Sequence, residues 1–265
     1  PQVVREYAVQ LCAQLGRRLD DAFPIADAAS PDGIRVHAVI APLVPQGAAI
    51  SIRFPDRTMA SLRHLSQLGV FPAAWLPMFV GLVRRHATVL ITGGTGVGKT
   101  TLLKALLAQC DVNERIVTVE EVRELGELGR GDHVSLVTRE ANVEGVGAIS
   151  LTDLVKATLR MRPDRVVLGE CRGAEIVDLL RAFNSGHHGG MTTVHADGVN
   201  RVPSRLISLG LLAGVSPQAL AMLAAGAFDA VVHLERVNGQ RRITQIGELR
   251  VAHGELAGTP LAVWN

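Results

Sequence analysis

Aromatic residues are scarce in this chain and make up only 3% of its 265 residues. Proteins that bind single-stranded nucleic acid without sequence preference stack bases on aromatic side chains, so this composition argues against such a surface. The formal net charge of +2 at neutral pH is also too small to indicate a nucleic-acid partner by itself. Hydrophobic residues, at 48%, are enough for a sizeable core, and the 20% of charged residues argues against a disordered chain.

Cysteine is also rare, and the three cysteines form no CxxC pair: Cys12, Cys110 and Cys171. The expected state is free thiols in a reducing cytoplasm.

The first ten residues lack the basic-then-apolar pattern of a secretion signal. The chain begins without methionine, which is compatible with a fragment whose N-terminal domain is truncated at its start. We expect a cytoplasmic protein.

One uncharged run, Leu206 to Phe228, is long enough to cross a bilayer. It is interrupted by glycines and by Ser216-Pro217, which suits the N-cap and first turn of a new helix. We therefore predict two packed core helices in place of a membrane span. Any membrane association is then expected to be peripheral.

The pattern of the chain changes near residue 88. Before it, the helical spacing of Val3–Leu19 precedes three strand-like runs, at Ala22–Ala26, Ile34–Ile40 and Ala48–Phe54. Two helical segments follow, at about Thr58–Gln67 and Ala73–His86. This order predicts a small N-terminal α+β domain over residues 1–55, followed by a linker and leading helices over residues 56–87.

From Thr88 onward, strand, loop and helix alternate to the end of the chain. This alternation predicts an α/β domain over residues 88–265, built on a parallel sheet that is covered by helices on both faces. The last strands flank Asn238-Gly239, a dipeptide typical of a β-hairpin turn.

Gly93-x-x-x-x-Gly98-Lys99-Thr100 fits the phosphate-loop (P-loop) pattern between an apolar strand and a helix. Glycines let successive backbone N–H groups turn toward phosphate oxygens, and the helix N-terminus adds partial positive charge. Lys99 is positioned to reach the β- and γ-phosphates of ATP, and the Thr100 hydroxyl to bind Mg²⁺. The predicted nucleotide-binding residues are Gly93, Gly94, Thr95, Gly96, Val97, Gly98, Lys99, Thr100 and Thr101.

Carboxylates follow two of the predicted strands. Glu120-Glu121 ends one strand and Glu170 follows another, whereas Asp164 lies at the opposite end of the second strand. Hydrolysis needs a carboxylate near Mg²⁺ and the attacking water, and the ends of parallel strands converge on one crevice. Each acid alone is equally well explained as a solvated residue at a strand end, but their number after a phosphate loop favours catalysis.

Four segments occur in a fixed order: GGTGVGKTT, RIVTVEE, LRMRPDRVVLGECRG and GHHGGMTTVHA. Together they resemble the secretion and pilus-assembly ATPases of the type II/type IV secretion superfamily, with the greatest similarity to the tight-adherence (Tad) pilus-assembly branch. The N-terminal segments FPIADAASPDGIRVHAVI and ISIRF also look like that family. The resemblance implies a RecA-like P-loop NTPase domain with a smaller N-terminal α+β domain.

The resemblance also implies roles for single residues. Glu120 matches an acid that polarises the catalytic water, and Glu170 matches the Walker B glutamate that assists catalysis and binds Mg²⁺. His195 matches the histidine that senses the γ-phosphate or connects it to a neighbouring subunit; the alternative is a packed histidine at a strand end. Lys99 completes the implied catalytic set.

Gly186, His187 and Gly189 match the segment before His195, while Glu121 and His188 stand where the family often has Asp.

Arginines supply further positive charge for the phosphates. Arg35 and Arg53 match family arginines that close over the nucleotide, and the other candidates are Arg139, Arg160 and Arg162. A planar, permanently charged guanidinium suits a γ-phosphate during transfer. The alternative for each is an ordinary surface arginine.

The resemblance implies a homohexameric ring with ATP between domains or subunits and a hinge at the connector over residues 55–58. The ring would dock on an inner-membrane platform protein and drive pilin extraction or secretion. An alternative is a nucleic-acid-translocating ring ATPase, although the expected pore aromatics are few. A second is a nucleotide-binding regulator that barely hydrolyses ATP, against which the retained Glu170 argues.

Overall fold

The computed structural model describes residues 2–55, 61–129, 131–141 and 146–264. The chain divides into two compact units. The N-terminal unit comprises Pro1–Thr58 and Val122–Gly126, and the P-loop unit comprises Met59–Glu121 and Glu127–Asn265. Most of the predicted linker and leading helices therefore group with the P-loop unit. Residues 56–58 of the predicted hinge lie outside the described residues.

The described residues of the N-terminal unit form one helix and an antiparallel sheet of order β1-β2-β3. These elements are α1 (Gln2–Gln14), β1 (Ile25–Ala29), β2 (Arg35–Ile40) and β3 (Ala48–Arg53). Alternate residues of β1 and β2, such as Ala38, pack against Ala8 and Cys12 of α1. This is the predicted small α+β arrangement.

The first strand begins three residues later than the sequence pattern predicts. The Asp20 carboxylate accepts the backbone N–H groups of Ala22 and Phe23, both at 3.0 Å. The Asp20 carbonyl also accepts the Phe23 N–H. These bonds form a turn of the kind that Asp favours, so the predicted strand residues at 22–23 lie in that turn.

The P-loop unit contains an eight-stranded sheet of order β11-β10-β9-β4-β8-β7-β5-β6. Six neighbouring strands are parallel, in the order β9-β4-β8-β7-β5-β6. β10 pairs antiparallel with β9, and β11 pairs antiparallel with β10. The strands are β4 (Val89–Gly93), β5 (Ile116–Glu120), β6 (His133–Val137), β7 (Arg165–Leu168), β8 (Met191–Val194), β9 (Ala230–Val237), β10 (Gln240–Ala252) and β11 (Glu255–Val263). The predicted mixed α/β domain with a parallel sheet is confirmed.

The described helices of this unit are α2 (Leu62–Gln67), α3 (Leu76–Arg84), α4 (Lys99–Leu107), α5 (Leu151–Thr158), α6 (Glu175–Asn184), α7 (Val202–Leu212) and α8 (Pro217–Ala225), with 3₁₀ turns at Ala73–Trp75 and Val199–Arg201. The sequence of α5 explains its start, because Ser150 and Asp153 form a reciprocal capping box. Leucines, valines and phenylalanines of α5 to α8 pack with the central strands into one large core.

The uncharged run folds as two helices, as predicted. Ser216 caps α8 by accepting the Ala219 N–H at 3.3 Å, and Pro217 occupies the first turn. Within the described ranges, every helix is too short or too polar to cross a lipid bilayer.

The predicted hairpin at Asn238-Gly239 is also confirmed. Both residues have positive φ, at 51° and 81°, as a two-residue hairpin turn requires. β9 and β10 pair on either side of it. The two edge strands, β6 and β11, were not predicted from the sequence.

Candidate nucleotide site

The phosphate loop joins the carboxyl end of β4 to the first turn of α4, as predicted. β4 is buried throughout, whereas Gly94, Thr95 and Gly96 are exposed at the tip of the loop. A Cβ at Gly93 would lie 2.2 Å from the Leu234 carbonyl oxygen, so the close approach of β9 requires glycine there. Gly98 has φ of 103°, which also favours glycine. The loop therefore exposes backbone at the N-terminus of a helix, where anions bind.

Lys99 lies at the start of α4 and is almost fully buried, with only 7% of its surface exposed. Its Nζ donates hydrogen bonds to the Gly93 and Gly94 carbonyl oxygens, at 2.9 and 2.8 Å. The same Nζ lies 3.3 Å from His195 Nε2. Thr100 and Thr101 follow in the first turn of the helix. The ammonium group is thus held at the mouth of the loop, where phosphates would bind.

Three parallel strands bring further predicted residues to the same edge of the sheet. Glu120 is the last residue of β5, Glu170 follows β7, and His195 directly follows β8. β7 lies between β5 and β8. We call the edge at which β4, β5, β7 and β8 end the carboxyl edge. The convergence that was predicted for the carboxylates is present in the structure.

Glu170 contacts both His195 and Arg172. Its Oε1 lies 2.5 Å from His195 Nε2, and its Oε2 accepts a hydrogen bond of 2.7 Å from Arg172 Nη2. Burial raises the pKa of Glu170, but Arg172, His195 and Lys99 together lower the pKa below its ordinary value. The carboxylate is therefore charged at neutral pH.

His195 is half-buried, and the positive charges of Lys99, Arg172 and Arg205 act on it. Burial and the charge of Lys99 lower the pKa of His195, against the opposing effect of Glu170. The lowered pKa favours the neutral imidazole at neutral pH. The loop that holds His195 is tied to β4, because Thr92 Oγ1 donates to the Ala196 carbonyl oxygen at 3.0 Å.

Glu120 is almost fully buried, with 4% of its surface exposed. Its side chain passes over Gly169, which directly follows the neighbouring strand β7, because a Cβ at Gly169 would lie 3.0 Å from Glu120 Cγ. The glycine before Glu170 therefore leaves the space in which Glu120 lies. This role of Gly169 could not be predicted from the sequence, because it depends on the adjacency of β5 and β7.

The segment before His195 lies at the other end of β8. His187 Nδ1 lies 3.3 Å from the Ala182 carbonyl oxygen, and His188 is exposed. The Gly189 carbonyl accepts a hydrogen bond from Arg165 at 3.1 Å. The structure therefore does not bring His187 or Gly189 to the Glu170 cluster: His187 lies just after the end of α6, and Gly189 contacts Arg165 at the amino end of β7. Gly186 precedes them in the same loop.

The predicted arginines are distributed over several places. Arg35 Nη2 and Arg53 Nη1 both pair with Glu124 Oε1, at 2.9 and 3.3 Å, inside the N-terminal unit. Arg139 donates to the Gly147 carbonyl oxygen at 2.5 Å. Arg160 and Arg162 are exposed and precede β7, at the amino edge, with Asp164. Within one P-loop unit these last two arginines lie at the opposite edge from the phosphate loop. Nucleotide contact by any of the five stays a prediction.

Arg172 also belongs to the cluster around Glu170, although it was not selected from the sequence. It donates to Glu170 and also to Glu121, at 2.7 and 3.2 Å. The available signal was its spacing, since residues two apart on an extended segment point to the same side.

A parallel sheet with a phosphate loop after one strand, and a carboxylate and a histidine after its neighbours, defines a RecA-like P-loop nucleoside triphosphatase. Comparison with known proteins gives the family. The profile described as "Type II/IV secretion system protein" matches residues 2–245, and the chain belongs to this family. It is therefore an ATPase.

Two curated relatives and one solved structure show the extent of the similarity. A putative conjugal transfer protein of Mycobacterium tuberculosis (H37Rv) is 42% identical over 270 residues, which cover 99% of this chain and 76% of that protein. The type IV secretion system protein PtlH of Bordetella pertussis is 34% identical, with coverage of 84% and 74%. The VirB11 ATPase from the Brucella suis type IV secretion system, solved with sulphate, is 25% identical with a TM-score of 0.58, over 91% and 78% of the two chains.

Proposed function

We propose that the chain is the ATP-hydrolysing motor of a protein-secretion or pilus-assembly machine. The observation that carries this proposal is the meeting of three groups beside the phosphate loop: His195 Nε2 lies 2.5 Å from Glu170 Oε1 and 3.3 Å from Lys99 Nζ. ATP hydrolysis needs a carboxylate near the attacking water and positive charge on the γ-phosphate, which Glu170 and Lys99 would supply.

The loop and Lys99 supply binding of the phosphates. The exposed backbone of residues 94–96 offers N–H groups to the β- and γ-phosphate oxygens, with the partial positive charge of the α4 N-terminus behind them. Lys99 would exchange its bonds to the Gly93 and Gly94 carbonyls for bonds to phosphate oxygens. Because it already lies at the loop mouth, this exchange needs only a side-chain movement.

Glu120 and Glu170 supply the acidic groups. Glu170 is charged and half-buried, and it would orient or deprotonate the attacking water. Glu120, which lies over Gly169 directly after the adjacent strand, would polarise the same water. His195 would report the presence of the γ-phosphate through its contacts with Lys99 and Glu170.

The oxygen donors Thr100 and Glu170 fit a magnesium site. A hydroxyl and a carboxylate are hard ligands of the kind that Mg²⁺ binds together with phosphate oxygens. When bound there, Mg²⁺ would neutralise charge on the β- and γ-phosphates.

The assembly follows from the same proposal. We infer a homohexameric ring on the cytoplasmic face of the inner membrane, docked on a platform protein. Its support is the similarity to PtlH and to the VirB11 ATPase, which are named for type IV secretion systems. Closeness to the tight-adherence branch and closure of Arg35 and Arg53 over the nucleotide remain predictions.

The test is the Glu170→Gln variant. It keeps the size of the side chain but removes the charge, so ATP should still bind while turnover falls by about 10²- to 10⁴-fold. Phosphate release and binding of a fluorescent ATP analogue measure the two properties separately. Glu248→Gln, on β10, is the matched control and should behave as the wild type. Unchanged turnover of Glu170→Gln would show that the acid is assigned wrongly.

Single-stranded DNA or RNA tests the alternative of a nucleic-acid motor. We expect the ATPase rate to stay the same on adding either polymer, because the sequence offers few aromatic residues for base stacking. Strong stimulation by either would instead favour a nucleic-acid-translocating ring.

A further inference from the structure

The loop after β7 is fixed by hydrogen bonds at several successive residues. Thr193 Oγ1 donates to the Gly169 carbonyl oxygen at 2.9 Å, and the Cys171 N–H donates to the Thr193 carbonyl at 2.8 Å. The next N–H, that of Arg172, donates to Glu175 Oε1 at 2.7 Å. The backbone that carries Glu170 and Arg172 is therefore held between β8 and the start of α6.

Alternation along this loop places Glu170 and Arg172 together. Cys171, between them, is fully buried in the core, whereas the residues on either side of it extend toward the carboxyl edge. Because the backbone between them is fixed by hydrogen bonds, the Arg172 guanidinium lies next to the Glu170 carboxylate.

Arg172 also connects two strands. Its Nη2 donates to Glu170 Oε2 at 2.7 Å and its Nη1 to Glu121 Oε2 at 3.2 Å. Glu121 directly follows β5, and Glu170 follows β7, the strand beside it. A guanidinium can make both contacts at once because its two terminal nitrogens form a rigid planar fork, whereas the single ammonium of a lysine acts as a point charge.

A purely structural role does not account for this arrangement. The side chains of Arg172 and Glu121 are 47% and 46% exposed, and ion pairs at that exposure contribute little to stability. The contacts of Arg172 matter more for geometry than for stability. Glu170 is also in contact with His195, and any rotation of the Glu170 carboxylate would break that contact.

We propose that Arg172 is a positioning residue for ATP hydrolysis, which holds the Glu170 carboxylate toward His195 while Glu121 anchors Arg172. The inference rests on the proposed role of Glu170. It gives Glu121 a role different from that of Glu120: Glu121 acts on the Glu170 rotamer through Arg172 and does not polarise water itself.

The test compares Arg172→Ala, Arg172→Lys and Glu121→Gln in steady-state ATPase assays of the full chain. Arg172→Ala should lower kcat by about 10- to 100-fold, the effect of a small misplacement of a catalytic group, with KM for ATP within about threefold of wild type. Arg172→Lys should recover part of kcat, because it keeps one of the two contacts. Glu121→Gln should give a smaller loss than Arg172→Ala.

The double variant Arg172→Ala/Glu121→Gln shows whether the two residues act in series. We expect its kcat to equal that of Arg172→Ala alone, because the anchor has nothing left to hold. Independent, multiplying losses would contradict the series. Arg181→Ala, an exposed arginine of α6 that pairs with Asp178, is the matched control and should keep wild-type kcat. Thermal unfolding of each variant should match the wild type, and a loss of kcat that follows a loss of folding would also contradict the proposal.

The result with Glu170→Gln separates the two levels of failure. If Glu170→Gln loses turnover and Arg172→Ala does not, only the positioning role is overturned. If Glu170→Gln keeps turnover, the acid assignment fails and the positioning role fails with it.

Discussion

Glu114 and Arg165 form an ion pair at the amino edge of the parallel sheet, and the side chain of Arg165 is completely buried there. Arg165 Nη2 donates to Glu114 Oε1 at 3.1 Å and to the Val83 carbonyl oxygen at 2.8 Å. Glu114 precedes β5 and Arg165 begins β7, so the pair joins the two strands at the end opposite Glu121 and Arg172. The same two strands are thus linked by charge at both ends.

Glu114→Gln should destabilise the P-loop unit by about 3 to 5 kcal/mol at neutral pH, because it leaves the buried Arg165 charge without its partner. Burial raises the pKa of Glu114, but the hydrogen bond and charge of Arg165 lower the pKa below its ordinary value. A lowered pKa stabilises the fold above the unfolded pKa of about 4.3, and this contribution is lost as pH falls through the folded pKa.

Urea unfolding at pH 7 and again below pH 4 measures this difference. The gap between wild type and Glu114→Gln should be largest at pH 7 and should shrink in acid. Glu248→Gln, whose partner Arg250 is 71% exposed, should cost less than about 1 kcal/mol at either pH. A gap that is equal at the two pH values would contradict the charge argument.

Lys99→Ala should weaken ATP binding by about 10- to 100-fold, because a charged hydrogen-bond donor to the phosphates is lost. Titration with a fluorescent ATP analogue measures the change. Lys156→Ala on α5, where the lysine is 55% exposed and pairs with Asp178, is the control and should bind normally. Normal affinity in Lys99→Ala would mean that the loop does not hold the phosphates as proposed.

Gly169→Ala should lower kcat by about tenfold with little change in ATP affinity. The added Cβ would lie 3.0 Å from Glu120 Cγ, so the Glu120 carboxylate must shift to make room. Gly131→Ala is a suitable control, because a Cβ there has no neighbour within 4 Å among the described residues. An unaffected kcat in Gly169→Ala would show that the position of Glu120 is not critical.

The sequence was sufficient to predict those parts of the site that are built from residues close together in the chain. The phosphate loop could be predicted because glycine and lysine spacing defines it within a short run of neighbouring residues. The meeting of Glu120 and Glu170 followed from one general rule, the convergence of parallel strands at their carboxyl ends. His195 was identified by family resemblance and not by its surroundings, and the structure places it against Glu170.

Other features depend on contacts between distant parts of the chain. The bond of Arg172 to Glu121 joins residues 51 positions apart and exists only because β5 and β7 are neighbours. The edge strand β11 contains Gly258 and Pro260, which strand interiors disfavour and which an edge tolerates. β6, at the other edge, is mostly half-buried and lacks a fully apolar pattern.

The grouping of Val122–Gly126 with the N-terminal unit affects how this protein can be dissected or recombined. The chain leaves the P-loop unit immediately after Glu121, contributes five residues that include Glu124, and returns at Glu127. A truncated chain that starts near residue 59 would therefore keep these residues and lose their partners Arg35 and Arg53. Exchange of the N-terminal unit between relatives would have to include this inserted segment, which begins two residues after Glu120. The N-terminal unit is therefore not one continuous stretch of sequence, although each unit has its own core.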